Sequence, residues 1–228
     1  MKLLLFDIDG TLIRSHGAGR EMLAAALTEM FGTAGPIADY KMSGKIDNRI
    51  IFDLLSAAGI AQSEIEAKLP DVYRVMTEKA QAIFPASDMA ACPGVAPLLA
   101  ALNQRNDALL GLVTGNINGT APLKLAAGGI DPGQFKLGAY GSDATERNQL
   151  PTIAMQRASD LTGRPFNGTN TVIIGDTPAD ILCARAGKAT AVAVASGWHS
   201  AQTLARYRPD FLLENLSDTK KTLEILLG

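Results

Sequence analysis

Two carboxylates near the head of the chain, Asp7 and Asp9, have the spacing that most plainly asks for chemistry. They follow the apolar run Leu3-Leu4-Leu5-Phe6 and lead into Gly10-Thr11. A short, continuously apolar run reads as a buried strand of a parallel sheet. Open α/β sheets bind their ligands at the carboxyl ends of such strands. In extended backbone, side chains two residues apart point the same way. Two like charges so placed are costly unless a cation or a shared proton neutralises them. The motif therefore calls for a divalent metal, a phosphoryl group, or both.

Two further constellations follow apolar runs. Leu110-Gly111-Leu112-Val113 leads into Thr114-Gly115-Asn116. A threonine hydroxyl and the next two amides can donate to phosphoryl oxygens, although a Thr-Gly pair also suits a helix start. Val172-Ile173-Ile174 leads into Gly175-Asp176-Thr177-Pro178-Ala179-Asp180. Carboxylates four apart share one face of a helix, and hard oxygen ligands of this kind suit Mg²⁺. Asp180 is also placed to favour a helix N-terminus electrostatically.

Taken in order, these three motifs resemble the signature motifs of the haloacid dehalogenase-like hydrolase superfamily, and the chain is most similar to its phosphoglycolate phosphatase-like branch. The resemblance implies that Asp7 is the nucleophile, attacking phosphorus to form an aspartyl-phosphate. It implies that Asp9 is the general acid and base, with its backbone carbonyl as a metal ligand. Phosphatases of the superfamily carry this second carboxylate, whereas dehalogenases and phosphonatases generally do not. Thr114, Gly115 and Asn116 become the phosphate-binding loop. Asp176 joins Asp7 as a direct Mg²⁺ ligand, with Asp180 holding metal-bound water or orienting the site. The family also needs one cation near the nucleophile. In Ser142-Asp143-Ala144-Thr145-Glu146-Arg147-Asn148-Gln149-Leu150-Pro151 the candidate is Arg147, in place of the Lys-Pro of many relatives. Its fork can hold phosphate oxygens bidentately. Lys124 is the rival, but it sits in an amphipathic stretch and reads as solvated.

The elements that must hold these residues alternate. Apolar runs at 3–6, 109–113, 172–174 and 191–194 read as strands, with helical patterns such as Val95, Leu98, Leu99 and Leu102 between them. Such alternation argues for βαβ units, hence an α/β fold with a doubly wound, Rossmann-like parallel sheet. From about Ser15 to Asp88 no strand is evident. Met22, Leu23, Ala26, Leu27, Met30 and Phe31 share one helical face, and two further sets follow. This predicts an α-helical cap over 15–88 inserted into a core of 1–14 and 89–228. The stretch Met42-Ser43-Gly44-Lys45-Ile46-Asp47-Asn48-Arg49 resembles the cap loop that reaches over the active site in this branch, and Lys45 is its candidate for meeting an anionic substrate tail.

Composition sets outer bounds. Of 228 residues, 47% are hydrophobic and 19% charged, as in a folded globular protein, and the net charge is −2. That balance gives no argument for a nucleic-acid or membrane partner. Cys92 and Cys183 occur in unrelated contexts and read as buried small hydrophobes. The apolar run at the head is too short for a secretory signal or a membrane span, so a reducing cytoplasm is expected. The expectation is a Mg²⁺-dependent phosphatase for a small phosphorylated metabolite, working as a monomer or homodimer. A phosphomutase or a catalytically silent phosphate-binding regulator are the alternatives.

Overall fold

The computed structural model describes residues 1–228. Eight strands are present: β1 (Lys2–Phe6), β2 (Ile13–Arg14), β3 (Ala90–Ala91), β4 (Ala108–Val113), β5 (Leu137–Ala139), β6 (Thr171–Gly175), β7 (Thr190–Val194) and β8 (Phe211–Leu213). Six of them form one sheet in the order β5-β4-β1-β6-β7-β8, and every pairing in it is parallel. β2 and β3 pair antiparallel as a separate ribbon. The four strands expected from apolar runs are the central four of the large sheet. The two edge strands, β5 and β8, are three residues each and too short to show a pattern.

Parallel strands need crossovers, and helices supply them. The helices are α1 (Ala18–Phe31), α2 (Asp47–Ala57), α3 (Gln62–Ile83), α4 (Val95–Asn103), α5 (Ala121–Ala127), α6 (Leu150–Thr162), α7 (Pro178–Ala186), α8 (Ala201–Ala205) and α9 (Thr219–Leu227). Alternation along β1 shows how the layers form. Leu4 and Phe6 face one core, with residues of α4, α5 and α9; Leu3 and Leu5 face the other, with residues of α6 and α7. This is the doubly wound α/β arrangement. Residues 18–83 are helical apart from their connections, and α1 packs extensively on α3. No helix is long and apolar enough to cross a membrane.

The topology fixes where a ligand can sit. The chain runs from β1 outward through β4 and β5, then returns to β6 on the opposite side of β1. β1 is therefore the switch point, and the crevice opens at the carboxyl ends of β1, β4 and β6. Register brings those ends level. Phe6 pairs with Leu112 on one side and with Ile174 on the other. Asp7 continues the ladder through its N–H to the Ile174 carbonyl at 2.9 Å. Asp7, Thr114 and Asp176 must then emerge side by side.

Packing beneath the site is tight. Leu5 is fully buried and pairs with Gly111, where a Cβ would lie 2.9 Å from Leu5 Cδ2. The missing side chain on β4 is the space that Leu5 fills. Leu5→Ala should therefore leave a cavity and cost about 2–5 kcal/mol. Urea denaturation of the two proteins would measure this, and a loss below about 1 kcal/mol would mean that the sheet collapses around the site.

Candidate active site

Asp7 is 5% exposed and Asp176 1%, each carried by the strand-end geometry just described. Asp180 enters from the first turn of α7. Thr177 is the N-cap of that helix, its hydroxyl accepting from the Asp180 N–H, while Asp180 Oδ2 accepts from Thr177 N at 3.0 Å and from Thr177 Oγ1 at 2.7 Å. This reciprocal capping box locks the Asp180 rotamer. Ligand oxygens of Asp7, Asp176 and Asp180 lie within 4.8 Å of one another.

Arg147 closes one side of this cluster. It lies on a 3-10 turn, Arg147–Gln149, just before α6 and is buried. Its Nη2 bonds Asp180 Oδ1 and lies 3.2 Å from Asp7 Oδ1. Both oxygens of Asp180 are thus taken, one by Arg147 and one by Thr177. That suits an orienting role for Asp180 rather than direct ligation.

Asp176 is held differently. Thr11 Oγ1 donates to its Oδ1 at 3.4 Å, and its Oδ2 is buried without a partner. Two backbones approach this oxygen so closely that a Cβ on either Gly10 or Gly197 would run into it. Gly10 also has φ +82°, which disfavours any other residue there. Ser196 Oγ ties the two loops by donating to the Gly10 carbonyl at 2.7 Å. The Ser196–Gly197 wall follows β7, and sequence reasoning did not identify it.

Burial raises the Asp7 carboxyl to about 7, an effect that Arg147 opposes and the charges of Asp180 and Asp9 reinforce. Burial raises Asp176 to about 8, helped by Asp180 and Asp7. Three carboxylates face one guanidinium here, a formal net charge of −2. An orphaned buried carboxylate oxygen, an all-oxygen donor set and this charge deficit together fit a hard divalent cation held by Asp7 and Asp176.

Asp9 stands apart from that cluster, in a cradle of four hydrogen bonds. Its Oδ1 accepts from Ser15 Oγ at 2.8 Å and from Lys124 Nζ at 3.1 Å; its Oδ2 accepts from Asn116 Nδ2 and from Lys124 Nζ, both at 2.8 Å. Burial alone would raise this carboxyl, but Lys124, Asn116 and Ser15 outweigh it and hold it below the usual carboxylate range. The expectation that Lys124 is solvated is therefore corrected: it is 3% exposed, with α1 at Gly19 on one side and the Phe84 ring 5.9 Å from Nζ. Arg147 and Lys124 are not rivals, since each serves a different carboxylate.

Thr114 is fully buried, and its Oγ1 accepts from Asn116 Nδ2 at 2.8 Å. The Asn116 N–H also points to Thr114 Oγ1, at 3.3 Å. The Asn116 carboxamide is fully used, with Oδ1 accepting from Lys124 at 2.6 Å. This leaves the Thr114 hydroxyl proton free to be donated elsewhere.

The loop preceding α2 reaches these core loops. Asp47 N donates to Gly115 O at 2.8 Å and Asp47 Oδ2 accepts from Ile117 N at 3.0 Å. Asn48 Nδ2 donates to Ala144 O at 3.3 Å. Burial raises the Asp47 carboxyl to about 6 against the pull of Lys124. Lys45, in contrast, donates from Nζ to Tyr40 Oη at 2.6 Å and to Asp53 at 3.3 Å. It is the Lys45 backbone carbonyl, not the ammonium, that abuts Gly115. The sequence reading did not identify Asp47, although its place as the first residue of α2 marks it as a helix-start acid.

A switch-point crevice lined by buried aspartates on an all-parallel sheet defines a doubly wound α/β core with an acidic centre that could hold a cation. The model of the haloacid dehalogenase-like hydrolases matches residues 1–188, and the chain belongs to that family. Phosphoglycolate phosphatase of Synechococcus elongatus is 29% identical, over 100% of this chain and 99% of its own length. Phosphoglycolate phosphatase 1 of Pseudomonas aeruginosa is 25% identical, over 95% of this chain and 78% of its own. The crystal structure of a hydrolase from Pseudomonas syringae shares the fold, with a TM-score of 0.70 at 22% identity over 100% of both chains.

The raised carboxyls make stability depend on pH in a definite direction. An aspartate whose folded-state pKa lies above its ordinary 3.8 stabilises the fold through its protonated form. That contribution is full below about pH 4 and is lost as pH rises through 7 and 8. In excess chelator, Tm should fall from pH 5 to pH 8.5. Added Mg²⁺ should raise it by about 5–10 °C at pH 8.5 and much less at pH 5. Differential scanning calorimetry at the two pH values checks this; an equal Mg²⁺ effect at both would refute it.

Proposed function

We propose that this hydrolase is a Mg²⁺-dependent phosphatase for a small phosphomonoester, phosphoglycolate or a molecule like it, working through an aspartyl-phosphate. The observation that carries the reading is the pairing of two carboxylates two residues apart in two different environments. Asp7 lies in the acidic, cation-seeking cluster, and Asp9 lies in a separate basic cradle. A nucleophile and a proton carrier need that separation of roles. The two curated phosphoglycolate phosphatases, similar along nearly the whole chain, support the substrate class.

In this reading Asp7 attacks phosphorus, the ester P–O bond breaks, and the leaving oxygen takes a proton from Asp9, whose protonated form the charge of the phosphate dianion beside it favours against the pull of Lys124. Water then attacks the aspartyl-phosphate, giving its proton to Asp9 and releasing phosphate and free Asp7. Thr114, the Gly115 and Asn116 loop, and Arg147 position the phosphoryl oxygens. Mg²⁺, held by Asp7, Asp176 and the Asp9 backbone carbonyl, would supply positive charge against the developing negative charge. Asp180 orients Arg147 through the hydrogen bond between them.

Residues 15–88 act as a cap over the core of 1–14 and 89–228, and the loop at 42–49 excludes bulk water and selects the leaving group. Lys45 is the exposed ammonium of that loop, and an anionic substrate tail would compete with Asp53 for it. The balanced charge, the reducing-compartment cysteine usage and the small-metabolite substrate go with a cytoplasmic enzyme that binds neither nucleic acid nor membrane.

The purified protein with Mg²⁺ should hydrolyse 4-nitrophenyl phosphate, and 2-phosphoglycolate with higher kcat/KM. Asp7→Asn should lower kcat by at least about 10³-fold, as expected when a covalent nucleophile is removed. Full activity in Asp7→Asn, or in excess chelator, sinks the mechanism. Isomerisation of a sugar phosphate without phosphate release would instead identify a mutase.

A further inference from the structure

We infer that Lys124 is a positioning residue for Asp9: with Ser15 it pins both oxygens of the Asp9 carboxylate in one orientation beside the phosphate loop. The inference rests on the proposed role of Asp9 and adds to it a residue from a different element.

The geometry leaves little else for Lys124 to do. An unpaired lysine is almost never fully buried, and this one spends all three of its recorded hydrogen bonds on Asp9 and Asn116. The family's need for a cation beside Asp7 is already met by Arg147. Lys124 also bonds Asn116 Oδ1, which fixes that carboxamide so that its Nδ2 faces Asp9. One ammonium is thus the first of the three groups that hold Asp9 and orders the second, Asn116. Ser15, the third, comes from the segment leading into α1. Asp9 itself stays partly open, with 40% of its side chain exposed. Its orientation therefore comes from these four hydrogen bonds and not from close packing.

The test is a double-mutant cycle. Lys124→Met keeps the aliphatic stem and removes the ammonium. Asp9→Asn removes the group that Lys124 is inferred to hold. With 4-nitrophenyl phosphate, whose leaving group needs no proton, residual rates stay measurable. Lys124→Met should lower kcat by about 10–100-fold, less than the roughly 10²–10⁴-fold of a lost proton carrier, as suits a residue that positions one. KM and the inhibition constant for inorganic phosphate should stay within about twofold. In the Asp9→Asn background the same change should have almost no further effect. Ser15→Ala, which removes only the hydroxyl bonded to Asp9, should give a smaller loss of about 2–5-fold that also vanishes in that background.

Equal losses with and without Asp9, or a phosphate inhibition constant that rises with the fall in kcat, would overturn the inference in favour of phosphate binding. If Lys124→Met fails to fold, the Ser15→Ala cycle decides alone. If the wild-type protein hydrolyses the ester and Asp7→Asn does not, while both cycles are additive, the phosphatase reading stands and only the role of Lys124 falls. If the wild type hydrolyses neither ester, both fall.

Discussion

Crowding of buried carboxylates at the switch point is the constraint on which the rest of the site depends. Asp7 and Asp176 are placed side by side by strand register, not by any attraction between them. Asp180 joins them because it caps α7. Burial penalises each charge and the neighbours penalise it again. One guanidinium cannot balance three carboxylates, so the centre is left with an affinity for positive charge that only an external divalent cation, or protons, can satisfy. The same deficit would draw a cation in and, with that cation bound, let a phosphate dianion approach.

Keeping Asp9 outside this cluster is the second half of the design. Were it to share the charge deficit of Asp7, its carboxyl would also be driven toward protonation. Instead Lys124 gives it a private counter-charge. The two carboxylates, two residues apart in sequence, thus acquire opposite electrostatic surroundings from distant parts of the chain. Arg147 comes from the turn before α6 and Lys124 from α5.

The legible part of the molecule was the part with repeated local pattern. Four central strands were readable because each is a continuous apolar run ending in a polar turn. Asp180 was readable as an acid placed at a helix start, whereas its reciprocal bonds with Thr177 emerge only in the structure. Lys124 was not readable, because a helix of Ala-Pro-Leu-Lys-Leu-Ala-Ala presents one charge and gives no sign of which face is covered. The one available clue was that this lysine stands alone among apolar neighbours. Gly197 was equally silent. Its role is to have no side chain where the Asp176 carboxylate passes, and a sequence records only the absence.

The division of labour between core and helices follows from how they meet. Asp7, Thr114 and Asp176 follow strand ends, Asp180 sits at a helix start, and Arg147 lies on the turn before α6. The loop before α2 meets the core largely through backbone: Asp47 N to Gly115 O, the Lys45 carbonyl against Gly115, and Ile117 N to the Asp47 carboxylate. These contacts hold the loop against the core and commit the side chains of Asp47 and Asn48 to it, while the Lys45 ammonium turns to Tyr40 and Asp53. Each hydrogen bond contributes about 0.5–1.5 kcal/mol net, and leaving the shielded Asp47 carboxylate without its partner would cost more, so the pair anchors the loop. Lys45 and Asn48 flank that pair, so changes in their side chains would alter this loop without touching the buried carboxylates of the core. In the proposed reading, a phosphate site built once on the sheet would in this way accept different leaving groups through changes in a few residues of one loop.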